Sequence, residues 1–325
     1  MRIPSHPRAS ILALSPGFLT TVQDLGRDHC AHWGIPPSGA ADPVSLRLGN
    51  LLVGNPQNAP ALEMTLVGGS FRFERTSIIA LAGSDLGATL DNEEIPAWQS
   101  ARVKPGQTLR CGSMKSGARC YLCVAGGILV QPVLSSASTH LLAALGGISG
   151  RSLKAGDVLQ CGAQRAGPSM KPRAVNRRVL EFFFRKGPIR VTAGPQGDLF
   201  SADSQLRFSA STYTVKEESD RMGLRLKGPA LKRVVDRDTT TEGISLGAIQ
   251  VPPDGEPIIL FVEHPTTGGY PKIANVISAD LHRVGQLRPR DETNFEFVKH
   301  EIAISLLKEQ EYLLSPQRSL QPISR

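Results

Sequence analysis

The sequence predicts a mainly β protein built from two β domains with a few short helices. Three observations carry that prediction. The chain of 325 residues holds 32 Gly and 24 Pro, above the roughly 12% of average usage; with no collagen period, turn formers at this density argue for many short strands and against a helix bundle. Short apolar runs recur between turn signals, the spacing of a barrel or sandwich. A seven-residue turn-and-strand pattern recurs in both halves. The length is a soft prior for two domains. An apolar fraction of 40% is enough for a real core and excludes wholesale disorder.

In chain order, the first strong signal is a helix: Asp42 caps Pro43 to Val53, with Pro at the first helical position and Gly54 past the end. Strand-like runs follow at Phe71–Phe73, Ile78–Ala82, Ala88–Leu90, Gln107–Leu109 and Arg119–Val124, each bounded by Gly, Pro or Asp-Asn turns. The second half repeats the style at Ile189–Val191, Gln250–Val251 and Pro257–Val262. Ser278 reads as the cap of a helix to Val284, Ile302–Leu314 reads as an amphipathic helix, and the tail beyond Ser315 reads as loose. The repeated pattern is Val103–Leu109, Leu153–Leu159 and, more loosely, Leu287–Thr293. The third copy has Arg290 where the others have Gly, so its turn is expected not to need a positive φ.

The chain carries 37 Lys+Arg against 29 Asp+Glu. Seven basic residues and one acid between Arg165 and Lys186 account for +6 of the net +8, and Pro168, Pro172 and Gly167 make that run a basic linker. Aromatics do not interleave with it, so a stacking surface for single strands is not indicated. No run reaches the roughly 18 apolar residues of a membrane span, and the N-terminal apolar stretch is short and broken by Pro16; the expectation is a cytoplasmic protein. Five cysteines argue against a disulfide framework. Cys120 and Cys123 have CxxC spacing inside a strand, where positions three apart face opposite sides, so they are not expected to share a metal.

Two polar, Gly-rich blocks stand out as candidate sites. One is Thr20–Asp24 with Gly26 and Arg27, followed by Pro37–Asp42. The other is Ser219–Gly223 with Arg225, then Gly247–Gln250, then Thr266–Pro271. Glycine admits close backbone approach, hydroxyls and amides hold anions, and Arg27, Arg221 and Arg225 suit a carboxylate. His264 is an acid–base candidate. Asp24 and Asp42 form a carboxylate pair, or else Asp24 pairs with Arg27 and Asp42 only caps the helix. There is no GxxxxGK[ST] phosphate loop, no GxSxG elbow and no HExxH pair.

Thr-Thr-Val-Gln-Asp-Leu-Gly-Arg (20–27), Pro-Ser-Gly-Ala-Ala-Asp (37–42), Leu-Val-Gly-Asn (52–55) and Ala-Leu-Glu-Met-Thr (61–65) resemble the opening of one family. Ser-Asp-Arg-Met-Gly-Leu-Arg-Leu (219–226), Gly-Ala-Ile-Gln-Val-Pro (247–252), Thr-Thr-Gly-Gly-Tyr-Pro (266–271) and Gln-Leu-Arg-Pro (286–289) continue the match. The family is that of biotin-dependent carboxyltransferases, also called allophanate hydrolase subunit 2, and the resemblance covers roughly residues 10–298. Departures are Asp28–His32, Ala41 and Leu224.

The resemblance implies two tandem cyclophilin-like β-barrel domains, at 1–164 and 187–300, with the linker at 165–186 and a helix and tail at 301–325. It implies one of three roles: the C subunit of a prokaryotic 5-oxoprolinase, the carboxyltransferase domain of urea carboxylase, or a regulator that antagonises a kinase inhibitor. The chain has no Ala-Met-Lys-Met biotin attachment site, only Met114-Lys115 and Met170-Lys171 in other settings, so biotin would arrive on a separate carrier. The 5-oxoprolinase role ranks first. It implies subunits A and B as partners, the latter an allophanate hydrolase subunit 1-like protein, with ATP as co-substrate bound by a partner. Carried residue by residue, the resemblance implies Asp24, His264 and Thr267 as catalytic. It implies Gln23, Arg27, Ser38, Gly39, Asp42, Arg221, Arg225, Gln250, Thr266, Gly268, Gly269 and Tyr270 as substrate-binding.

Overall fold

Alternation along each strand decides which face is buried, and the strand-like runs of the sequence are strands. The computed structural model describes residues 10–163, 171–234 and 239–323. The chain divides into two units: the described residues of Met1–Arg27, Ser38–Phe182 and Leu313–Arg325, and those of Asp28–Pro37 and Phe183–Tyr312. The fold is mainly β with few helices, and each unit is built on barrel-like sheet, antiparallel throughout the first unit and in all but one pairing of the second unit's main sheet.

The first unit begins with β1 (Ser10–Ser15), β2 (Leu19–Gln23), α1 (Pro43–Leu52), β3 (Ala61–Thr65), β4 (Ser70–Phe73) and β5 (Ser77–Gly83). It continues with β6 (Thr89–Leu90), β7 (Glu93–Glu94), β8 (Ser100–Val103), β9 (Thr108–Arg110), β10 (Arg119–Val124), β11 (Ile128–Leu129) and β12 (Val158–Cys161). Two sheets form, in the orders β11-β12-β1-β4-β9-β6-β7 and β2-β3-β10-β5-β8. They share one core: Ile11 and Ala13 of β1, Phe71 and Phe73 of β4, and Leu159 of β12 meet Leu62, Ile79, Leu81 and Leu122 of the second sheet.

On β10 the pleat sends Cys120, Leu122 and Val124 into that core, while Cys123 faces α1, its Sγ 3.8 Å from the Leu46 carbonyl. The CxxC pair is therefore split between two faces. Burial pushes the Cys111 and Cys161 thiols up to about 12 and those of Cys120 and Cys123 up as well, which makes all four poor nucleophiles. Helix α1 starts as the sequence indicates, with Asp42 Oδ1 accepting the Ser45 amide at 2.8 Å and Pro43 at the first turn. It lies tightly on β5 and β10, because a Cβ on Gly49 would stand 2.7 Å from Cys123 Sγ and 3.0 Å from Ala82 Cβ.

Of the basic run, 165–170 lie outside the described residues. Arg173–Val175 forms β13 and Arg177–Phe183 forms α2. The second unit holds β14 (Ile189–Ala193), α3 (Ala202–Ala210), β15 (Tyr213–Val215), β16 (Gly223–Lys227), β17 (Glu242–Gly243), β18 (Ala248–Gln250) and β19 (Ile258–Leu260). After these come β20 (Thr267–Gly268), β21 (Lys272–Val276), α4 (Leu281–Val284), β22 (Glu292–Thr293), β23 (Phe295–Phe297) and α5 (His300–Leu313). Its main sheet runs β22-β15-β16-β19-β18-β21-β14-β23, and β17 pairs with β20 as a separate ribbon. Phe208 of α3 stacks on Phe295 of β23 with centroids 4.5 Å apart. Ser278 is not the helix cap expected: a 3₁₀ turn, Ser278–Asp280, precedes α4, and Ile277 holds the cap position with no side-chain bond. The Ile277 amide is taken by the Arg190 carbonyl at 3.1 Å, which fixes the chain extended up to that residue. Asp280 anchors the turn instead, accepting from the Arg190 amide at 2.9 Å and from Arg283 Nη1 at 3.0 Å.

The chain then returns to the first unit through α6 (Pro316–Ser319) and β24 (Leu320–Pro322), which pairs antiparallel with β13. The tail is thus a strand where a loose end was expected; three residues without alternation give no sequence signal for it.

The three copies of the repeated pattern share one hydrogen-bonded turn. Gly106, Gly156 and Arg290 each donate their amide to a neighbouring strand, at Phe73 (2.7 Å), Ala13 (2.8 Å) and Val215 (2.8 Å). Gln107, Asp157 and Asp291 each turn a side-chain oxygen back to the amide of Lys104 (2.8 Å), Lys154 (2.8 Å) and Arg288 (2.9 Å). Contrary to expectation, Arg290 adopts φ +73°, beside +85° and +89° for the glycines. The bonds of the turn hold it there against the Cβ clash of that region.

Two stability predictions follow from this packing. Arg290→Gly should stabilise the chain by up to about 1 kcal/mol in denaturant unfolding, since its exposed pair with Glu217 contributes little. Gly49→Ala should cost about 1–3 kcal/mol by overpacking, and Cys123→Ala in the same chain should recover much of that loss.

Candidate functional site

Each unit carries one polar cluster at the positions the sequence singled out. In the first unit, β2 ends in Gln23 and Asp24. The Asp24 carboxylate accepts four donors: the Gly26 amide (2.8 Å), Ser136 Oγ (2.7 Å), the Ala137 amide (2.7 Å) and Ser138 Oγ. Its own amide donates to Ser138 Oγ at 3.0 Å. Arg27 is buried and donates from Nη2 to the Ser138 carbonyl at 2.5 Å. Gln23 donates from Nε2 to Thr21 Oγ1 (3.0 Å) and to the Thr139 carbonyl (3.1 Å). Gln23, Asp24 and Arg27 are therefore brought together on one loop, 136–139.

Ser38 and Gly39 both have positive φ, +53° and +85°. The glycine is obligatory: a Cβ there would lie 2.7 Å from the Gly26 nitrogen. Segment 38–40 thus crosses 24–26 at contact, and the Ala40 amide donates to the Asp24 carbonyl at 2.8 Å. Asp42 is committed to α1, accepting from both the amide and the hydroxyl of Ser45, so the two aspartates serve separate backbone segments. Behind them, Glu63 Oε2 accepts the Ala41 amide (2.8 Å) and the Tyr121 hydroxyl (2.6 Å), and that hydroxyl accepts the Asp42 amide (2.8 Å). Burial, then the charges of Glu63 and Asp42, push the Tyr121 phenol well above its ordinary value, so it serves as a neutral donor. Two buried atoms of this cluster, Gln23 Oε1 and Ser38 Oγ, have no hydrogen-bond partner among the described residues.

In the second unit, Arg221 and His264 are linked through Glu263. Arg221 Nε meets Glu263 Oε1 at 2.5 Å, and the Glu263 amide donates to the Arg221 carbonyl at 2.8 Å. Both side chains are buried, so removing one partner would strand the other's charge. His264 Nδ1 lies 2.7 Å from the Pro265 carbonyl. A carbonyl only accepts, so Nδ1 carries the proton and Nε2 is the lone-pair nitrogen of the neutral ring. Thr266 and Thr267 lead into the β17–β20 ribbon, where Glu242 faces Gly268 and Gly243 faces Thr267; the Thr266 carbonyl accepts the Ile244 amide at 3.0 Å. Thr267 and Tyr270 are exposed, Tyr270 by 47%. Gln250 reaches beneath the ribbon, its Nε2 donating to the Tyr270 carbonyl at 3.4 Å. Gly268 is close-packed there, since a Cβ would stand 2.6 Å from Ile244 Cδ1 and 3.1 Å from Gln250 Nε2. Gly269 packs near the Thr239 carbonyl. Arg225 stands apart from this group, exposed on β16.

Sequence reasoning missed Lys272 and Gln196 beneath the ribbon and Glu242 on it, as well as Glu63 and Ser136. For Lys272 a signal existed: it is a lysine opening a mostly apolar strand straight after Thr-Thr-Gly-Gly-Tyr-Pro. Among the described residues, no group of three His, Cys, Asp or Glu could hold a metal ion, and no helix is long and apolar enough to cross a membrane.

Comparison with known proteins gives a family match and several relatives. Residues 33–297 match the family described as carboxyltransferase domain, subdomain A and B. The chain is 41% identical over 271 residues to the 5-oxoprolinase C subunit of Escherichia coli K12, covering 83% of this chain and 86% of that protein. It is 36% identical over 306 residues to the 5-oxoprolinase C subunit of Haemophilus influenzae, covering 92% and 95%. The crystal structure of the Kluyveromyces lactis urea carboxylase superposes with a TM-score of 0.89 at 32% identity, over 99% of this chain. The chain spans 31% of that much longer protein.

Burial lowers the His264 imidazole below its ordinary 6.5, against the raising effect of the Pro265 carbonyl. The unfolded chain then binds more protons than the folded one just below that value, so stability is full above it and falls as pH drops beneath it. Unfolding measured from about pH 7.5 to about pH 5 should show this loss, and His264→Asn should flatten that part of the profile.

Proposed function

Since the chain belongs to the carboxyltransferase family of subdomains A and B, we propose that it is the C subunit of a prokaryotic-type 5-oxoprolinase complex, contributing to the ATP-dependent hydrolysis of 5-oxo-L-proline to L-glutamate. The observation that carries this reading is the 41% identity to a 5-oxoprolinase C subunit over 83% of this chain and 86% of that protein. The complex would be completed by subunits A and B, with the allophanate hydrolase subunit 1-like protein as the direct partner. The sequence has no phosphate loop, which suits ATP binding on a partner.

The chemistry asked of this chain is capture, orientation and proton transfer. A lactam is unreactive at neutral pH; ATP would phosphorylate the ring oxygen, releasing ADP, and water would add to the ring carbon. The C–N bond would then break as the amine is protonated, and a second water would cleave the acyl phosphate to glutamate and phosphate. His264 Nε2, as the lone-pair nitrogen, is the group suited to take the first water's proton. Thr266, Thr267, the Gly268–Gly269 backbone and Tyr270 would contact the substrate, the glycines letting it approach the main chain. In the first unit, Gln23 Oε1 and Ser38 Oγ are the buried polar atoms left to meet a ligand N–H. Asp24, Arg27, Asp42 and Arg221 would hold the loops that carry these groups, because each already serves the protein's own backbone or a buried counter-ion.

A second reading is favoured by the superposition on a urea carboxylase: a carboxyltransferase that takes carboxybiotin from a separate carrier and passes its carboxyl group to a urea- or amide-like acceptor. Dependence on an added biotinylated carrier separates the two.

The test is co-expression with the partner subunits and an assay for ATP-dependent glutamate release from 5-oxoproline, with and without this chain. Release that requires the chain is expected. His264→Asn should lower kcat by about a hundredfold or more, and Thr267→Ala, at an exposed position, should impair turnover without unfolding the chain. Release that is unchanged when the chain is left out would overturn the reading.

A further inference from the structure

Lys272 opens β21 with its side chain only 4% exposed, and a buried ammonium needs an anion beside it. The anion is Glu242, whose Oε1 accepts from Lys272 Nζ at 2.6 Å. Gln196 completes the group: its Nε2 donates to the same Glu242 oxygen at 2.6 Å, and its Oε1 accepts the Lys272 amide at 3.1 Å and Nζ at 3.4 Å. One carboxylate oxygen thus takes two donors from the floor beneath it. Gln250 is the cross-strand partner of Lys272, so its side chain stands on the same face.

The two halves of this ion pair are held very differently. Lys272 is fixed in the main sheet, between β18 and β14. Glu242 is 44% exposed and sits on a two-residue strand whose sheet consists of itself and β20. Lifting that ribbon removes the carboxylate and leaves the cation and its two amide neighbours in place. β20 is also the centre of the Thr-Thr-Gly-Gly-Tyr-Pro motif, the segment proposed above to contact the substrate.

We propose that Lys272, Gln196 and Gln250 form a binding site for a small carboxylate ligand, and that Glu242 is the internal carboxylate which the ligand displaces. The exchange conserves charge: one carboxylate leaves the buried ammonium as another arrives. Hydrogen bonds from Lys272 and then Gln196, with the charge of Lys272, hold the Glu242 carboxyl below its ordinary range, so it competes as an anion at neutral pH. The site stands on this geometry alone; only the choice of 5-oxoproline as the ligand rests on the 5-oxoprolinase reading.

The experiment measures binding of acetate and of 5-oxoproline to the purified full chain by calorimetry and thermal shift at constant ionic strength, with 2-pyrrolidinone, the same ring without the carboxylate, as control. Both carboxylates should bind and 2-pyrrolidinone should not. Glu242→Gln removes the internal competitor while keeping its shape, and should tighten acetate binding by about tenfold. Lys272→Met should abolish it. Equal acetate affinity in the wild type and Glu242→Gln, or retained binding in a folded Lys272→Met chain, would overturn the proposal; if Lys272→Met fails to fold, the Glu242→Gln comparison decides. Turnover of 5-oxoproline by the assembled complex is scored separately. Acetate binding as expected without turnover refutes only the 5-oxoprolinase reading, and turnover with unaltered Glu242→Gln affinity refutes only this site.

Discussion

The carboxylate of Asp24 sets the position of every polar loop in the first unit's cluster. Its four acceptor bonds draw on Gly26 nearby and on Ser136, Ala137 and Ser138, more than 110 residues away in sequence. Its carbonyl takes Ala40, and through that bond the Ser38–Gly39 crossing is held against Gly26. Arg27 then reaches the Ser138 carbonyl because the loop has been brought to it. Each buried donor left without this partner would cost about 1–3 kcal/mol, so losing the carboxylate would loosen all of these segments together.

The second unit uses ion pairs for the same purpose, in two styles. Arg221 with Glu263 has both side chains buried, and the fully buried Asp280 holds Arg190 and Arg283, which are 11% and 13% exposed. Burial alone would raise the Asp280 carboxyl, but its bonds to Arg190 and the nearby arginine charges bring it below its ordinary value. Lys272 with Glu242 differs, because one partner faces solvent from a short ribbon. Pairs of the first style are costly to break from either side. The second style breaks wherever another anion can reach the cation, which separates scaffold from site within one unit.

Much of this was legible in the sequence wherever a local rule was enough. Strand β10 matches its apolar run residue for residue, because Gly and polar turns bound it and its pleat places Cys120 and Cys123 on opposite faces. The start of α1 follows from Asp42 and Pro43. The candidate blocks were visible through their glycines: a Cβ on Gly39 would collide with the Gly26 backbone and one on Gly268 with the Ile244 side chain. Illegible were the features set by closure over long distances. Nothing near Asp24 announces Ser136 or Ser138 as its partners. Arg290 obeys the bonds of its turn rather than its own preference. Lys272 was passed over because its burial depends on Glu242, thirty residues upstream on another strand.

The pairing of β13 with β24 has a consequence for the order of assembly. β24 is joined to β13 by the backbone bonds of three residue pairs, and just before it Leu314 accepts a bond from Gln57. A ribosome delivers this strand only after the whole of the second unit has been made. The first unit, although begun earliest, must therefore wait with β13 lacking its β24 partner while residues 183–312 emerge, and the unit started second is the first able to finish.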